Sequence, residues 1–247
     1  MTIPAELPLV FRDEHLVVIN KPAGLLVHRS HLDRHETRFA LQLLRDQIGQ
    51  HVYPVHRLDK PTSGVLVFAL SSEIARELSL QFEQRQVDKR YLAVVRGYCP
   101  EQGAIDYPLK EQHDKTADSR SRQDKPAQEA FTSYSRLATI ELPVSVDRYP
   151  QTRYSLVQLR PQTGRRHQLR RHMKHIGHPI IGDAKHGKGV HNRFMAAQYD
   201  CPRLLLACTD LSLTHPVSGR RLDLHADVDG PFSTLMQTFG WPSSLPE

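Results

Sequence analysis

The chain has 247 residues, 39% hydrophobic and 24% charged, ordinary values for a soluble globular protein that exclude wholesale disorder, collagen-like repeats and coiled coil. That length suits one large domain or two small ones and buries a core without disulfide or metal staples. The net charge is +6, no apolar run nears the roughly 20 residues that span a bilayer, and no basic-then-apolar leader opens the chain.

Leu9–Arg12 and His15–Asn20 read as short strands split by a turn at Asp13-Glu14. Lys21-Pro22-Ala23-Gly24 breaks the pattern and opens a loop. Thr37–Ile48 carries apolar residues at helical spacing and ends at Gly49. Gly64–Ser71 is a continuous apolar run, the mark of a buried strand, after which Ser72 is expected to cap a helix with Ile74, Leu78, Leu80 and Phe82 on its apolar face. Tyr91–Val95 is a strand. Residues Lys110–Glu129 hold almost nothing apolar beyond alanine and are expected to form a long mobile surface loop. Ala130–Ile140 and Arg153–Arg160 read as strands, Arg165–Ile176 as a basic helix stopped by Gly177, Leu204–Leu213 as a strand and Ser233–Phe239 as a last helix. Strands outnumber helices without alternating regularly, which predicts an α+β fold with a mixed, mostly antiparallel sheet. Cys99, Cys201 and Cys208 lack metal or redox spacing and suit a reducing cytoplasm.

The charge is unevenly spread. Arg148–Arg193 holds eleven Lys/Arg and one acid, Asp183, so this span carries +10 and the remainder −4. Such asymmetry suggests an anionic partner, and arginine suits phosphates and base edges. A solvated basic face is the plainer reading. A membrane surface fits less well, because no amphipathic Lys-rich helix accompanies the patch.

Three stretches could carry chemistry. In His56-Arg57-Leu58-Asp59-Lys60-Pro61-Thr62-Ser63-Gly64, a carboxylate sits in a polar turn between cations, just before a buried strand. Neighbouring positive charge favours an ionised Asp59, a poor general acid and a plausible nucleophile. Asp59 could equally just satisfy turn amides. In Thr163-Gly164-Arg165-Arg166-His167-Gln168-Leu169-Arg170-Arg171-His172, one arginine could turn inward onto a carboxylate while the others meet phosphates. His167, His172, His175 and His178 lack the paired i, i+4 spacing of zinc sites and read as RNA-facing or structural. Lys89-Arg90-Tyr91 opens a strand, where a tyrosine ordinarily packs.

Together these residues resemble the RluA-type pseudouridine synthases. His56–Asp59 with Thr62-Ser63-Gly64 is similar to that family's catalytic signature, and Lys21–His28 to its N-terminal motif. Lys89-Arg90-Tyr91 is similar to its tyrosine motif, and Thr163–Arg170 with Gly177–Asp183 to its arginine motif. Within the family, His28-Arg29-Ser30, Leu32-Asp33-Arg34, Arg45–Val52, Lys185-His186-Gly187 and Phe239-Gly240-Trp241 resemble the tRNA-modifying branch. One departure is Ala207-Cys208, where the family usually has His-Ala, which is expected to remove a polar group near the sheet edge.

The resemblance implies a single catalytic domain over residues 1–247 and a uridine-to-pseudouridine isomerase needing no cofactor or metal. Asp59 would be the nucleophile, Arg170 the buried partner of its carboxylate, and Tyr91 the ring that stacks on the target base and takes the C5 proton. Arg57 would fill the stack vacated by a flipped base. His56, Arg153, Arg165, Arg166, Arg171 and Lys174 would contact RNA. Many rRNA-modifying members carry an extra N-terminal RNA-binding domain, and here the first expected strand starts at Leu9. The expected substrate is therefore tRNA, at position 65 of the T-stem. An rRNA synthase, or a non-catalytic RNA-binding protein on the same fold, are the alternatives. No obligatory protein partner is expected, and the chain is read as a monomer.

Overall fold

The structure, a computed structural model, describes residues 4, 6–29, 35–111 and 126–242. The elements run β1 (Leu9–Arg12), β2 (Leu16–Lys21), α1 (Ala40–Ile48), β3 (Tyr53–Pro54), β4 (Ser63–Ala69), α2 (Ser72–Glu83), β5 (Asp88–Arg96), β6 (Gln102–Asp106), β7 (Phe131–Leu142), β8 (Thr152–Pro161), α3 (Gln168–His175), α4 (Gly189–Tyr199), β9 (Leu206–Thr214), β10 (Arg221–His225) and α5 (Gly230–Thr238). Among the described residues ten strands join one sheet in the order β1-β2-β4-β9-β5-β8-β7-β6, with β3 on β4 and β10 on β9. Every strand pair is antiparallel except β4 with β9. The mixed, mostly antiparallel α+β fold is therefore the one observed.

The parallel pair is short: Ser63 lies opposite Ala207, and Gly64 opposite Cys208. It joins two packed halves. On one side Leu16–Ile19 of β2 and Val65–Ala69 of β4 bury Leu44 of α1 and Leu78 of α2. On the other, β5 and β8 pack Leu92, Val94, Tyr154 and Leu156 against α4 and α5, and Ala93, Val95 and Val157 against α3. A Cβ on Gly64 would stand 2.0 Å from the Cys208 carbonyl oxygen, and its φ is +111°, so only glycine permits the join. Ala207, expected near an edge, lies mid-sheet between Ser63 and Leu92 and is 1% exposed.

Local boundaries shift for identifiable reasons. The helix expected from Thr37 starts at Ala40, because Phe39 is extended and bridges Leu26. Ser71, one residue earlier than expected, caps α2 by accepting from the Ile74 amide at 3.3 Å. Most of the expected Lys110–Glu129 loop, and the motif residues Ser30 and Leu32–Arg34, lie outside the described residues. The base of that loop is closed by paired backbone bonds between Leu109 and Gln128 (2.8 and 3.0 Å). Among the described residues no helix is long and apolar enough to cross a membrane.

His56, expected to face RNA, has a structural role. β4 leaves β9 after Gly64 and meets β3 only from Phe68 onward, so the Val67 amide has no strand partner on that side. His56 Nε2 accepts it at 3.0 Å, and the ring stacks on Phe82 with centroids 4.6 Å apart. Burial, reinforced by Lys89, pushes this imidazole down to about 3. The folded state thus binds fewer protons than the unfolded chain between about pH 6.5 and 3. Stability from the neutral ring is complete above 6.5 and is lost as pH falls through that window. His56→Gln keeps an acceptor that does not titrate. Its acid-side loss of stability should be shallower than wild type by up to about 1.4 kcal/mol per pH unit. Urea denaturation at pH 7, 5.5 and 4.5 checks this, and equal slopes would contradict it.

Candidate active site

Asp59 lies in the turn that leads into β4, and backbone chemistry fixes that turn. The Thr62 amide donates to the Asp59 carbonyl (3.0 Å), and the Lys60 carbonyl accepts from the Gly24 amide (2.8 Å). Lys21, 0% exposed, adds its ammonium to the Lys60 carbonyl (3.2 Å) as well as those of Pro22 (2.9 Å) and Leu25 (2.7 Å). Burial and then Arg203 push Lys21 down to about 7, while Asp59 opposes them. Arg203 in turn donates to Ser63 Oγ at 2.9 Å and pairs with Asp229.

Arg170 reaches Asp59 from α3, but the simple pair expected from sequence is a triad. Arg170 Nη1 meets Asp59 Oδ2 at 3.1 Å. Its fork, Nε and Nη2, closes on Asp183 at 2.7 and 2.8 Å. The side chains of Arg170 and Asp183 are 6% and 0% exposed, that of Asp59 22%. The buried partner is therefore Asp183, and Asp59 is the third, solvent-facing member. Asp183 Oδ1 also accepts the amides of Lys185 and His186, both at 2.9 Å. Arg170 and these amides hold its carboxyl below the ordinary value against the effect of burial. Sequence reading assigned Asp183 no role, although a single acid within a +10 span was its signal.

The helix expected to begin at Arg165 begins at Gln168, because His167 adopts a left-handed conformation (φ 54°). The Gln168 amide organises the preceding turn. Its Oε1 accepts from Thr163 Oγ1 (2.7 Å) and the Arg165 amide (3.0 Å), and its Nε2 donates to the Phe131 carbonyl and Thr132 Oγ1, both at 3.0 Å. The left-handed turn sets His167 Nε2 3.8 Å from Asp59 Oδ2 and Nδ1 2.9 Å from His186 Nε2. Burial, reinforced by Arg170 and His186, pushes His167 down to about 4 despite Asp59. The other three histidines go elsewhere: His172 to Thr132 and the Tyr107 carbonyl, His175 onto the Tyr107 ring and His178 to the Arg96 carbonyl.

A cavity of about 100 Å³ opens between Asp59, Tyr91, His167, Arg170 and Leu206, with Arg57 and Arg165 at its margin. A second, of about 230 Å³, adjoins it past Asp59 and is lined by His28, Arg57 and Arg166. Burial, then the Cys208 thiol and Asp59, holds the Tyr91 hydroxyl well above its usual value, so it is a protonated phenol at neutral pH. The structure thus brings together Asp59, Tyr91, Arg170, Arg57, Arg165 and Arg166. Arg165 Nε bonds the Glu129 carbonyl at 3.1 Å, Arg171 bonds the Lys110 carbonyl at 3.0 Å, and Lys174 is exposed on α3. Arg153 does not join them. It opens β8 at the far end of the sheet, paired with Glu141 at 2.5 Å.

The triad has an asymmetric mutational signature. Arg170→Ala or Asp183→Asn leaves a buried group uncompensated and should cost about 3–5 kcal/mol. Asp59→Asn should cost under about 1 kcal/mol, because its amide oxygen still accepts from Nη1 and the group is partly solvated. Urea denaturation of the three variants measures this. Equal losses for Asp59→Asn and Asp183→Asn would refute the triad.

Residues 15–175 match the family model described as RNA pseudouridylate synthase. The chain is 57% identical to a tRNA pseudouridine synthase C of Pectobacterium carotovorum over 98% of its length, covering 64% of that longer relative. It is 52% identical to the tRNA pseudouridine synthase C of Vibrio vulnificus, covering 97% of this chain and 98% of that one. The solved structure of human RNA pseudouridylate synthase domain containing 4 superposes with a TM-score of 0.72 at 27% identity, covering 97% and 95% of the two chains. With the family model spanning the Asp59 turn, Tyr91 and Arg170, the chain belongs to the RNA pseudouridylate synthases, a family of isomerases.

Proposed function

We propose that this chain is a tRNA pseudouridine synthase whose single catalytic domain isomerises the uridine at position 65 of the T-stem, with Asp59 as nucleophile. The observation that carries the reading is the Asp59 carboxylate, fixed on Arg170 at the mouth of a small cavity that Tyr91 and Leu206 line. The tRNA enzymes among its relatives support the substrate, as do the Lys185-His186-Gly187 and Phe239-Gly240-Trp241 variants.

A paired uridine cannot reach this cavity, so the base must leave its stack, at a cost of a few kcal/mol. Arg57, exposed at the cavity margin, fills the vacancy. Asp59 attacks as an anion, at C1′ or at the uracil ring, and Arg170 keeps its oxygen aimed by bonding only one of its two lone-pair edges. The N1–C1′ bond breaks, the base turns, C5 bonds C1′, and the bond to Asp59 breaks to return its carboxylate. N1 gains a proton and C5 loses one, so the sum is an isomerisation. Tyr91 stacks on the uracil. Its phenol carries a proton of its own and accepts that of C5 only as it yields its own, which couples the two transfers. Arg165, Arg166, Arg171 and Lys174 border the cavity and α3 and supply phosphate contacts.

Pseudouridine mapping on tRNA and rRNA from cells with and without the protein tests the assignment. The expected loss is at tRNA position 65, with rRNA unchanged, and a lost rRNA site instead would make this an rRNA synthase. On a tRNA transcript, Asp59→Asn should bind normally and turn over below about one per cent of wild type, and higher turnover would remove Asp59 as nucleophile.

RNA affinity should fall steeply with salt. Arg166→Gln with Lys174→Gln should lower the log–log salt slope by about 2, close to 0.9 for each phosphate no longer neutralised. An unchanged slope in filter binding between 50 and 300 mM salt would turn this face away from RNA.

A further inference from the structure

The strand ends opposite Asp59 form a separate cavity, of about 450 Å³, within the range of small-molecule sites. Its lining includes Arg96, Tyr98, Asp147, Tyr149, Arg153 and His191. Tyr98 and Tyr149 are 43% and 55% exposed, large rings left in water. A guanidinium covers one face of each: Arg153 lies 5.0 Å from the Tyr98 centroid, and Arg148 5.0 Å from that of Tyr149. His191 is 4% exposed, and its Nδ1 meets the Tyr154 hydroxyl at 3.0 Å. Its Nε2 is buried and has no hydrogen-bond partner among the described residues. A buried ring nitrogen without a partner is costly and asks for an explanation.

The ligand chemistry follows from the charges. Carboxylates stand among the cations: Glu141 bonds Arg153 at 2.5 Å and the Tyr98 hydroxyl at 3.4 Å, and Asp147 lies 3.5 Å from the Lys188 ammonium. They repel a phosphate but accept from exocyclic amino groups. Aromatic rings, guanidinium planes and mixed polar edges are how proteins hold unpaired bases.

The cavity also lies within reach of the same RNA. Tyr91 pairs with Leu159 and Arg96 with Tyr154 along one ladder, so Arg96 stands about 17 Å from Tyr91. The segment after α3 ends against this cavity, with His178 Nδ1 2.9 Å from the Arg96 carbonyl. The exposed side of α3, with Lys174, runs between the two sites.

We propose that this cavity binds one unpaired nucleobase of the RNA whose uridine enters the Asp59 site, stacked on Tyr98 or Tyr149 with an edge on His191 Nε2. The proposal rests on the RNA-modifying role argued above.

The test uses the full chain and an in vitro transcribed tRNA. Tyr98→Leu with Tyr149→Leu keeps apolar bulk and removes both rings. KM for the transcript should rise about tenfold, the worth of one stacked base. Tyr98→Phe with Tyr149→Phe keeps both rings and should restore the wild-type KM. In parallel, ultraviolet crosslinking of the unsubstituted protein to the transcript should join an unpaired nucleotide to the Tyr98 or Tyr149 peptide. An unchanged KM in the folded leucine variant overturns the site. So does crosslinking of these peptides to paired nucleotides only, or to none, and this arm decides alone if the leucine variant does not fold. Failure of the proposed function reads differently, as wild-type protein that makes no pseudouridine in the transcript.

Discussion

Arg170 is the charge on which the site depends. Its guanidinium is almost wholly withdrawn from water, and that is tolerable only because all three of its faces find carboxylates. A lysine could not substitute. It offers a point charge, whereas the fork grips Asp183 with two nitrogens and leaves the third for Asp59. Asp183 is therefore the buried anchor and Asp59 the solvent-facing end. Asp183 is itself held by its surroundings. A Cβ on Gly182 (φ +79°) would stand 1.7 Å from the Arg203 carbonyl oxygen, so the chain turns there only as glycine. Asn192 clips the turn, accepting from the Gly182 amide at 2.8 Å and donating to the Asp183 carbonyl at 3.0 Å.

The same triad ties the two halves of the sheet. Asp59 belongs to the half built on β2 and β4, and Arg170 and Asp183 to the half built on β5 and β8. Between them the sheet is joined by only two residue pairs of β4 and β9. Arg203 reinforces that seam from the second half by bonding Ser63. The Asp59 carboxylate stands at this junction and bonds Arg170 of the other half, so its position is set by both. The cavity lies beside this seam, where Tyr91, paired with Cys208 of β9, forms part of its wall.

The parts of the fold that the sequence made readable were those with one dominant physical signal. Val65–Ala69, apolar throughout, could only be a buried strand. The Asp59 turn announced itself by its polarity just before that strand. Strands β6 and β10 each bury a single residue, and α4 begins on a glycine and buries only His191 and Met195, so none has a periodicity to detect. Arg165–His167 has ordinary helix formers, so the sequence predicts α3 three residues before its start at Gln168. The left-handed His167 is imposed from a distance, by Gln168 bonding Phe131 and Thr132 across the chain. For the same reason the sequence reads His167 only as RNA-facing or structural and gives Asp183 no partner, since both owe their places beside Asp59 and Arg170 to tertiary contacts.

The +10 span shows how charge that is uniform in sequence divides in space. Arg170 places its charge inside the protein on two carboxylates. Arg165, Arg166 and Lys174 keep theirs at the cavity mouth and on α3. Arg148 and Arg153 lie at the far strand ends, each over a tyrosine. Burial beside these cations pushes Lys21 to about 7 and His167 to about 4. Burial is the larger cause for both, with Arg203 reinforcing it at Lys21 and Arg170 at His167. The site sets Arg170 and Arg203 against three carboxylates, Asp59, Asp183 and Asp229, and keeps His167 neutral at pH 7. What remains unbalanced is the exposed positive face, the part of the charge that an incoming polyanion meets.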